Sequence, residues 1–306
     1  MYSKKINELN SEKVMLVLLH HFSKDLTLNC VRHISQMTHS SMHLCIIDNA
    51  SKDSCEKEAR EIWDKPFSYV YQQNLGVAGG RNLGFKIAQQ QKYKWIFCLD
   101  DDLVVEKQTL SALLEIAVSI PNVAAVGPKV YSLKRPDIFL HAYGKHYKYL
   151  CYGRSIGSNE KDFGQYDQII YSDWFPGMAV LYNLDIVEKI GGFDETFSPY
   201  GPEEQDWFLR AQNNGFKILF APNSHVWHPE TGLNANINLF KVENVFRGHL
   251  LWLKMQTKLI VRVIGVLFIF IQFWIRPLIF IIRKKHLSKY YRSLYLGLVR
   301  SFNHIK

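Results

Sequence analysis

Three consecutive carboxylates, Asp100, Asp101 and Asp102, close the run KWIFCLDDD. Carboxylates so placed repel one another, and a divalent cation with oxygen ligands would compensate them. Alternate residues of a strand share a face, which places Asp100 and Asp102 on one side. An acidic cap for the following helix accounts for the same run equally well. Upstream lies a Gly-rich turn, NLGVAGGRNLG, whose backbone N–H groups together with a cation suit a bound diphosphate. The turn fits neither G-x-G-x-x-G nor G-x-x-x-x-G-K-[ST], which weighs against NAD and ATP. A second acidic run, Glu203-Glu204-Gln205-Asp206, follows Pro202. Pro202 suits the first turn of a helix, and the carboxylates behind it either complement the helix dipole or supply a general base.

The elements that must position these groups alternate in kind. VMLVLLH (14–20), MHLCIID (42–48), FSYVYQ (67–72), KWIFCLDDD (94–102) and NVAAVG (122–127) read as strands. Between them lie helical stretches over 26–37, 53–63, the Gly-rich turn to about 91, and 107–119. This β-α-β series predicts a mostly parallel sheet with ligands at the carboxyl ends of its strands. Three polar clusters fall at such ends: His20-His21, Asp48 to Ser51, and Asp100 to Asp102. Residues 129–172 are aromatic and irregular. From 173 the chain organises again, with a strand in DWFPGMAVLY, a short helix over 184–190, a helix from Pro202 that Gly215 stops, and a returning strand FKILFAP.

The 306 residues carry a formal charge of +9, and its distribution excludes a simple nucleic-acid binder. Residues 241–306 hold 13 Lys and Arg against the single acid Glu243, while residues 1–240 are net −3. The five Cys (30, 45, 55, 98, 151) form no C-x-x-C pair and lie largely in apolar runs, which predicts buried free thiols in a reducing compartment. The N-terminus lacks a signal-peptide core, so the bulk of the chain is expected in the cytoplasm.

The order DNASKD, NLGVAGGRNLG, LDDD, GGFDE with E-E-x-D, and V-W-H resembles glycosyltransferase family 2, in its rhamnosyltransferase-like branch, over about residues 14–255. The resemblance implies an α/β GT-A fold: a Rossmann-like, mostly parallel sheet with flanking helices over 1–240, followed by membrane-associated C-terminal helices over 241–306. It places Asp48 against the pyrimidine base, with Asn49 and His20 nearby. Asn74, Gly79, Gly80 and Arg81 would line the nucleotide pocket, Arg81 adding a cation toward base or phosphate. Asp100 and Asp101 would lie toward the nucleotide. Asp100 and Asp102 match the D-x-D pair on Mg²⁺ or Mn²⁺, and His228 would complete the metal shell. For His225 an ordinary core or surface role is expected. Glu204 takes the position of the base, one methylene longer than the Asp usual there, with Glu203 the alternative and Asp206 orienting the acceptor or capping the helix. Trp174, Gly177 and Met178 fall in the loop beside sugar and acceptor.

The tail LIVRVIGVLFIFIQFWIRPLIFII (259–282) is interrupted by Arg262, Gln272, Arg276 and Pro277. Its clean apolar run is too short to span a bilayer, which favours a helix in the plane of the membrane or partly inserted, flanked by the basic RKKHLSKYYRS. A buried dimer helix is the plain alternative. The expected function is inverting, metal-dependent transfer from a dTDP- or UDP-sugar to a growing surface glycan, lipid-linked, of lipopolysaccharide, O-antigen or capsule type. The expected place is the cytoplasmic face of the cell membrane, with no nucleic-acid partner. A Rossmann-type oxidoreductase and a basic membrane-surface scaffold are the rivals.

Overall fold

The computed structural model describes residues 12–21, 23–147, 152–198, 201–230, 239–255, 259–275 and 287–303. Cys151, the extreme N-terminus and the RKK run at 283–285 lie outside them. The first half follows the predicted alternation: β1 (Val14–His20), α1 (Lys24–Ser35), β2 (Met42–Asn49), α2 (Glu56–Ile62), β3 (Phe67–Gln72), α3 (Gly76–Gln90), β4 (Trp95–Asp100), β5 (Val104–Val105) and α4 (Thr109–Ser119). β6 (Val123–Ser132), β7 (Phe139–His141), β8 (Tyr143–Tyr147), β9 (Tyr152–Ile156), β10 (Ile170–Tyr171) and β11 (Ala179–Asn183) follow. Then come α5 (Leu184–Ile190), a 3-10 turn at Glu195–Phe197, α6 (Glu203–Asn213) and β12 (Lys217–His228). α7 (Leu239–Met255), α8 (Leu259–Phe270), a π turn at Ile271–Ile275 and α9 (Leu287–Asn303) end the described chain.

The main sheet runs β10-β12-β6-β11-β4-β1-β2-β3. β3, β2, β1 and β4 are parallel neighbours, as their largely apolar sequences require, because helices cover both faces. β11 is antiparallel to both β4 and β6, so the parallel direction resumes beyond it in β6 and β12. Two apolar layers sandwich this sheet, one under α1 and α4 and one under α3, α5 and α6. Cys30, Cys45, Cys55 and Cys98 are buried free thiols, as expected. α6 begins after Pro202 and ends where Gly215 takes φ +80°, the left-handed conformation that favours glycine.

Register puts the chemistry at one edge. His20 pairs with Asp48 and Leu19 with Asp100, so the carboxyl ends of β1, β2 and β4 lie side by side. β5 pairs antiparallel with the end of β12, opposite Trp227, which draws the segment just after Asp102 to His228. The unread region 129–172 is held by β7, the separate β8-β9 hairpin, and ion pairs from buried Lys129 to Asp162 and Asp167 at 3.0 and 2.5 Å.

The basic C-terminal region is docked onto this body through α7. Arg247 donates to the carbonyls of Thr196 and Phe197 at 3.1 and 3.2 Å, and to that of Ser198. Gly248 lies so near Pro202 that a Cβ there would be 2.7 Å from its Cδ. Among the described residues no helix is long and apolar enough to cross a membrane.

Candidate active site

The carboxylates of the triple Asp part company because β4 ends at Asp100 and the next two residues turn. The strand alternation expected to align Asp100 with Asp102 therefore does not operate. Asp100 accepts from Arg81 Nη2 at 2.9 Å, Asp101 accepts from the Thr27 hydroxyl at 2.8 Å, and Asp102 lies 3.3 Å from His228 Nε2.

Arg81 is the hub. Its guanidinium is 2 % exposed, and its Nη1 donates to Glu204 at 2.7 Å while Nη2 holds Asp100. Burial alone would lower its pKa, but the carboxylates of Asp100 and Glu204 outweigh that and hold it charged. The cation expected to reach for base or phosphate is thus committed within the chain, bridging the end of β4 to the start of α6. Gly177 packs directly over the bridge: a Cβ there would sit 2.0 Å from Arg81 Nη1 and 2.5 Å from Glu204 Oε1. The Met178 carbonyl accepts from the Asp100 amide at 2.9 Å. The structure therefore brings Gly177 and Met178 to this centre. Trp174 instead lies over the β8-β9 hairpin, where Gly144 and Gly153 leave room for its indole.

The acids of α6 divide. Glu203 is 3 % exposed and its Oε2 has no hydrogen-bond partner. Burial, reinforced by neighbouring Glu204, pushes its carboxyl well above the usual range. Glu204 is less buried and faces the Arg81 cation. Burial also raises Asp206, only partly offset by Arg210, whose Nε donates to it at 2.8 Å. Arg210 in turn donates to the carbonyls of Ile190 and Gly192 at 2.6 Å, so Asp206 fixes the GGF turn after α5 rather than an acceptor. Asn82 clamps the same turn, exchanging bonds with the Phe193 amide and carbonyl at 2.8 and 2.9 Å.

A metal is implied by the D-x-D resemblance, and the residues fit it in part. His228 Nδ1 faces the Pro229 carbonyl at 2.6 Å; a carbonyl only accepts, so in the neutral ring Nδ1 carries the proton. Nε2 then turns a lone pair toward Asp102 Oδ1, a buried oxygen with no hydrogen-bond partner. With the ring neutral, Nε2 and Oδ1 would serve as neighbouring ligands of one cation; with the ring charged, the same contact is an ion pair. Burial raises the Asp102 carboxyl, His228 partly opposing and Asp100 and Asp101 adding to the rise. Asp100 is not part of this pair, being held by Arg81. Among the described residues no cluster of three or more His, Cys, Asp and Glu side chains is arranged to hold a metal.

His20 and Asp101 form a separate clamp. His20 Nε2 donates to the Asp53 carbonyl at 2.9 Å, and Nδ1 meets the Thr27 hydroxyl at 2.7 Å, which donates to Asp101. Burial disfavours the imidazolium, yet Asp101 and the Asp53 carbonyl outweigh it and raise the His20 pKa to about 10. His20 thus ties the end of β1 to Asp53 and Thr27. A pKa raised on folding adds stability that is complete below the unfolded value of 6.5 and is lost as pH rises through about 10. Between these values the chain should lose about 1.4 kcal/mol per pH unit from this group. Denaturant unfolding across that window should show the decline in the native chain and a flatter profile in His20→Gln; parallel profiles would remove the clamp.

The remaining predicted residues build the rim. Asp48 accepts from the Tyr69 hydroxyl at 2.5 Å and the Ser51 amide at 2.8 Å. Burial pushes its carboxyl up, but these bonds win and hold it below the usual range. Asp48 thus ties the DNASKD loop to β3 through one oxygen each, with acceptor capacity left on the carboxylate. Asn49 Oδ1 accepts from Gln72 and from the Leu75 amide, its Nδ2 donates to Asn74, and Asn74 receives the Gly76 amide. Gly79 and Gly80 lie inside α3 rather than in a phosphate-cradling loop. A Cβ on Gly80 would come within 2.7 Å of Leu19 Cδ2, so this glycine lets α3 settle onto β1. His225 pairs with Glu106 at 2.7 Å and with the Pro222 carbonyl, the ordinary role expected of it. Thr27 and Tyr69 were not legible because their carboxylate partners lie on other elements, whereas Arg210 sits four residues after Asp206 on α6, a spacing that signals the pair. A surface depression of about 550 Å³ lined by Lys24, Glu56 and Arg60 holds none of these residues.

Comparison with known proteins agrees with the fold. GalNAc-T7, solved with UDP, GalNAc and Mn2+, superposes with a TM-score of 0.61 at 16 % identity, over 80 % of this chain and 48 % of that one. The mannosyltransferase PcManGT of Pyrobaculum calidifontis, solved with GDP-Man and Mn2+, gives 0.59 at 12 % identity, over 100 % of this chain and 94 % of that one. Both likenesses show a GT-A-like fold. In sequence, the chain is 24 % identical to chondroitin synthase of Escherichia coli over 67 % of its own length and 32 % of that protein's. It is 28 % identical to the galactofuranosyltransferase GlfT1 of Mycobacterium tuberculosis over 56 % of its own length and 54 % of that protein's. The chain thus spans about a third to a half of these relatives. The model of glycosyl transferase family 2 matches residues 17–175, which include β1 to β4, the Gly-rich turn and the triple Asp, and the chain belongs to that family.

Proposed function

We propose that the chain transfers a sugar from a nucleotide-diphosphate donor, a dTDP- or UDP-sugar, to a growing surface glycan, with inversion at the anomeric carbon. The acceptor in this reading is lipid-linked and the enzyme works at the cytoplasmic membrane face. The observation that carries the proposal is the meeting of Asp102 with His228 at 3.3 Å, set beside the Arg81 bridge that holds Glu204. The relatives' sugar-transfer activities and the nucleotides and Mn2+ of the structural neighbours support it.

Glu204 takes the proton of the acceptor hydroxyl, and that oxygen attacks the anomeric carbon from the side opposite the diphosphate. The new C–O bond forms as the bond to the diphosphate oxygen breaks, and its electron pair leaves with the nucleotide. A bound Mn²⁺ or Mg²⁺ would supply positive charge to the departing diphosphate, held by Asp102 and His228. Arg81 holds Glu204 in place, and Gly177 admits the close approach that this bridge requires.

A thermal-shift panel of UDP-, dTDP- and GDP-sugars with and without Mn²⁺ tests the reading. A donor at a hundred times its Kd stabilises the folded chain by about 2.7 kcal/mol. One nucleotide class should raise the melting temperature only with Mn²⁺, and Asp102→Asn should abolish that metal-dependent shift. Stabilisation by NADH with none by any nucleotide sugar would overturn the proposal in favour of an oxidoreductase.

A further inference from the structure

Apart from exposed Arg262, α8 is apolar on every side, and among the described residues only one side packs on the protein. Val261, Gly265 and Ile269 face inward, Gly265 lying so close to α7 that a Cβ would sit 2.4 Å from Leu253 Cδ1. The opposite face carries Leu259, Ile260, Val263, Val266, Leu267 and Phe270, each between 49 % and 74 % exposed. Their spacing is that of a single helical stripe. Fully exposed stripes of this kind are rare on soluble chains and mark interaction surfaces.

α9 continues the pattern. Tyr290, Leu294 and Gly297 pack inward, the last against the Glu243 carbonyl, while Arg292, Tyr295, Leu296 and Val299 form an exposed stripe. Phe270 stacks on Trp274 and Trp274 on Tyr291, which joins the end of the α8 segment to the start of α9. Charge identifies the occupant. From Asn244 to Lys306 the sequence contains no Asp or Glu, and Glu243 is buried and paired with Arg300 at 2.6 Å. A second copy of this surface would bring two cationic faces together, whereas an anionic lipid leaflet complements both the apolar stripe and its basic surroundings.

We propose that the exposed faces of α8 and α9 seat the chain in the interfacial layer of an anionic bilayer, with α8 lying in the plane of the membrane. Apolar burial would supply the grip, and the basic residues would draw the chain to the leaflet. Because α7 is locked to the start of α6 through Arg247 and Gly248, a membrane seated on α8 and α9 would be held in fixed relation to Glu204. Such seating deepens the membrane placement of the proposed function; its failure would remove that placement, while sugar transfer at the separate catalytic centre is tested by the thermal-shift panel.

Co-sedimentation of the full-length chain with vesicles tests it. The native chain should pellet with mixed phosphatidylcholine and phosphatidylglycerol vesicles, less with phosphatidylcholine alone, and less again at high salt. The double variant Val263→Asp, Leu267→Asp should lower the partition coefficient at least about tenfold, with an unchanged melting temperature. Should that variant misfold, the single Leu267→Gln should still weaken partition severalfold. A native chain that stays in the supernatant with both vesicle types would overturn the proposal. So would a lipid-free dimer in sedimentation equilibrium that the double variant dissociates.

Discussion

Replacing Arg81 with methionine is expected to destabilise the chain by about 3–5 kcal/mol, the cost of removing one partner from a buried ion pair. The reasoning rests on what remains. Asp100 and Glu204 would lose their shared cation while Gly177, closed over the bridge, leaves little space for water to replace it. Two carboxylates at one dry site repel, and each also loses a charge-assisted hydrogen bond. Lysine would not restore the arrangement, because one ammonium lacks the planar fork that reaches β4 and α6 at once. Urea unfolding followed by circular dichroism measures the loss. Adding Glu204→Gln to Arg81→Met should make the double variant less damaged than the sum of the singles, since one orphaned charge disappears. A lone Arg81→Met change within about 1 kcal/mol of the native chain would show that the bridge contributes little.

Arg81 also marks where sequence reasoning ends. The strands β1, β2 and β4 were legible because each is a largely apolar run between polar turns, and a sheet covered on both faces demands such runs. Edge strand β3, FSYVYQ, was legible from its aromatic and β-branched residues. The turn chemistry at Gly215 and the acids after Pro202 were legible for similar local reasons. Neither the insertion of antiparallel β11 between β4 and β6 nor the region 129–172 could be read. Their determinants are contacts distant in sequence, such as Lys129 with Asp162 and Asp167. At the site, the residue types were legible and the pairings were not. Alternation failed at Asp102 because the strand stops two residues early, and Arg81 looked like a phosphate ligand because nothing local shows that α3 turns it inward. His228 meeting Asp102 was legible only through the resemblance, since the pairing of β5 with β12 that brings them together spans more than a hundred residues.

Glu204→Gln should lower the transfer rate by about 10²–10⁴-fold, the usual contribution of general-base help. Metal-dependent nucleotide affinity should stay unchanged. The amide keeps an oxygen that can accept from Arg81 Nη1, so the bridge to α3 persists while the proton acceptor is lost. Glu203→Gln is the matched control. Its carboxyl is buried, and that burial favours the uncharged acid, which the amide mimics, so the rate should stay within a few-fold of native. The two neighbours therefore separate a base from a buried acid of identical chemistry, and the distinction comes from environment alone: Glu204 faces a guanidinium, Glu203 faces a dry interior. Single-turnover measurements with the donor identified by thermal shift would isolate the chemical step from product release. If Glu203→Gln abolished transfer while Glu204→Gln kept it, the base would be the buried residue. Arg81 would then hold Glu204 only as a strut between β4 and α6.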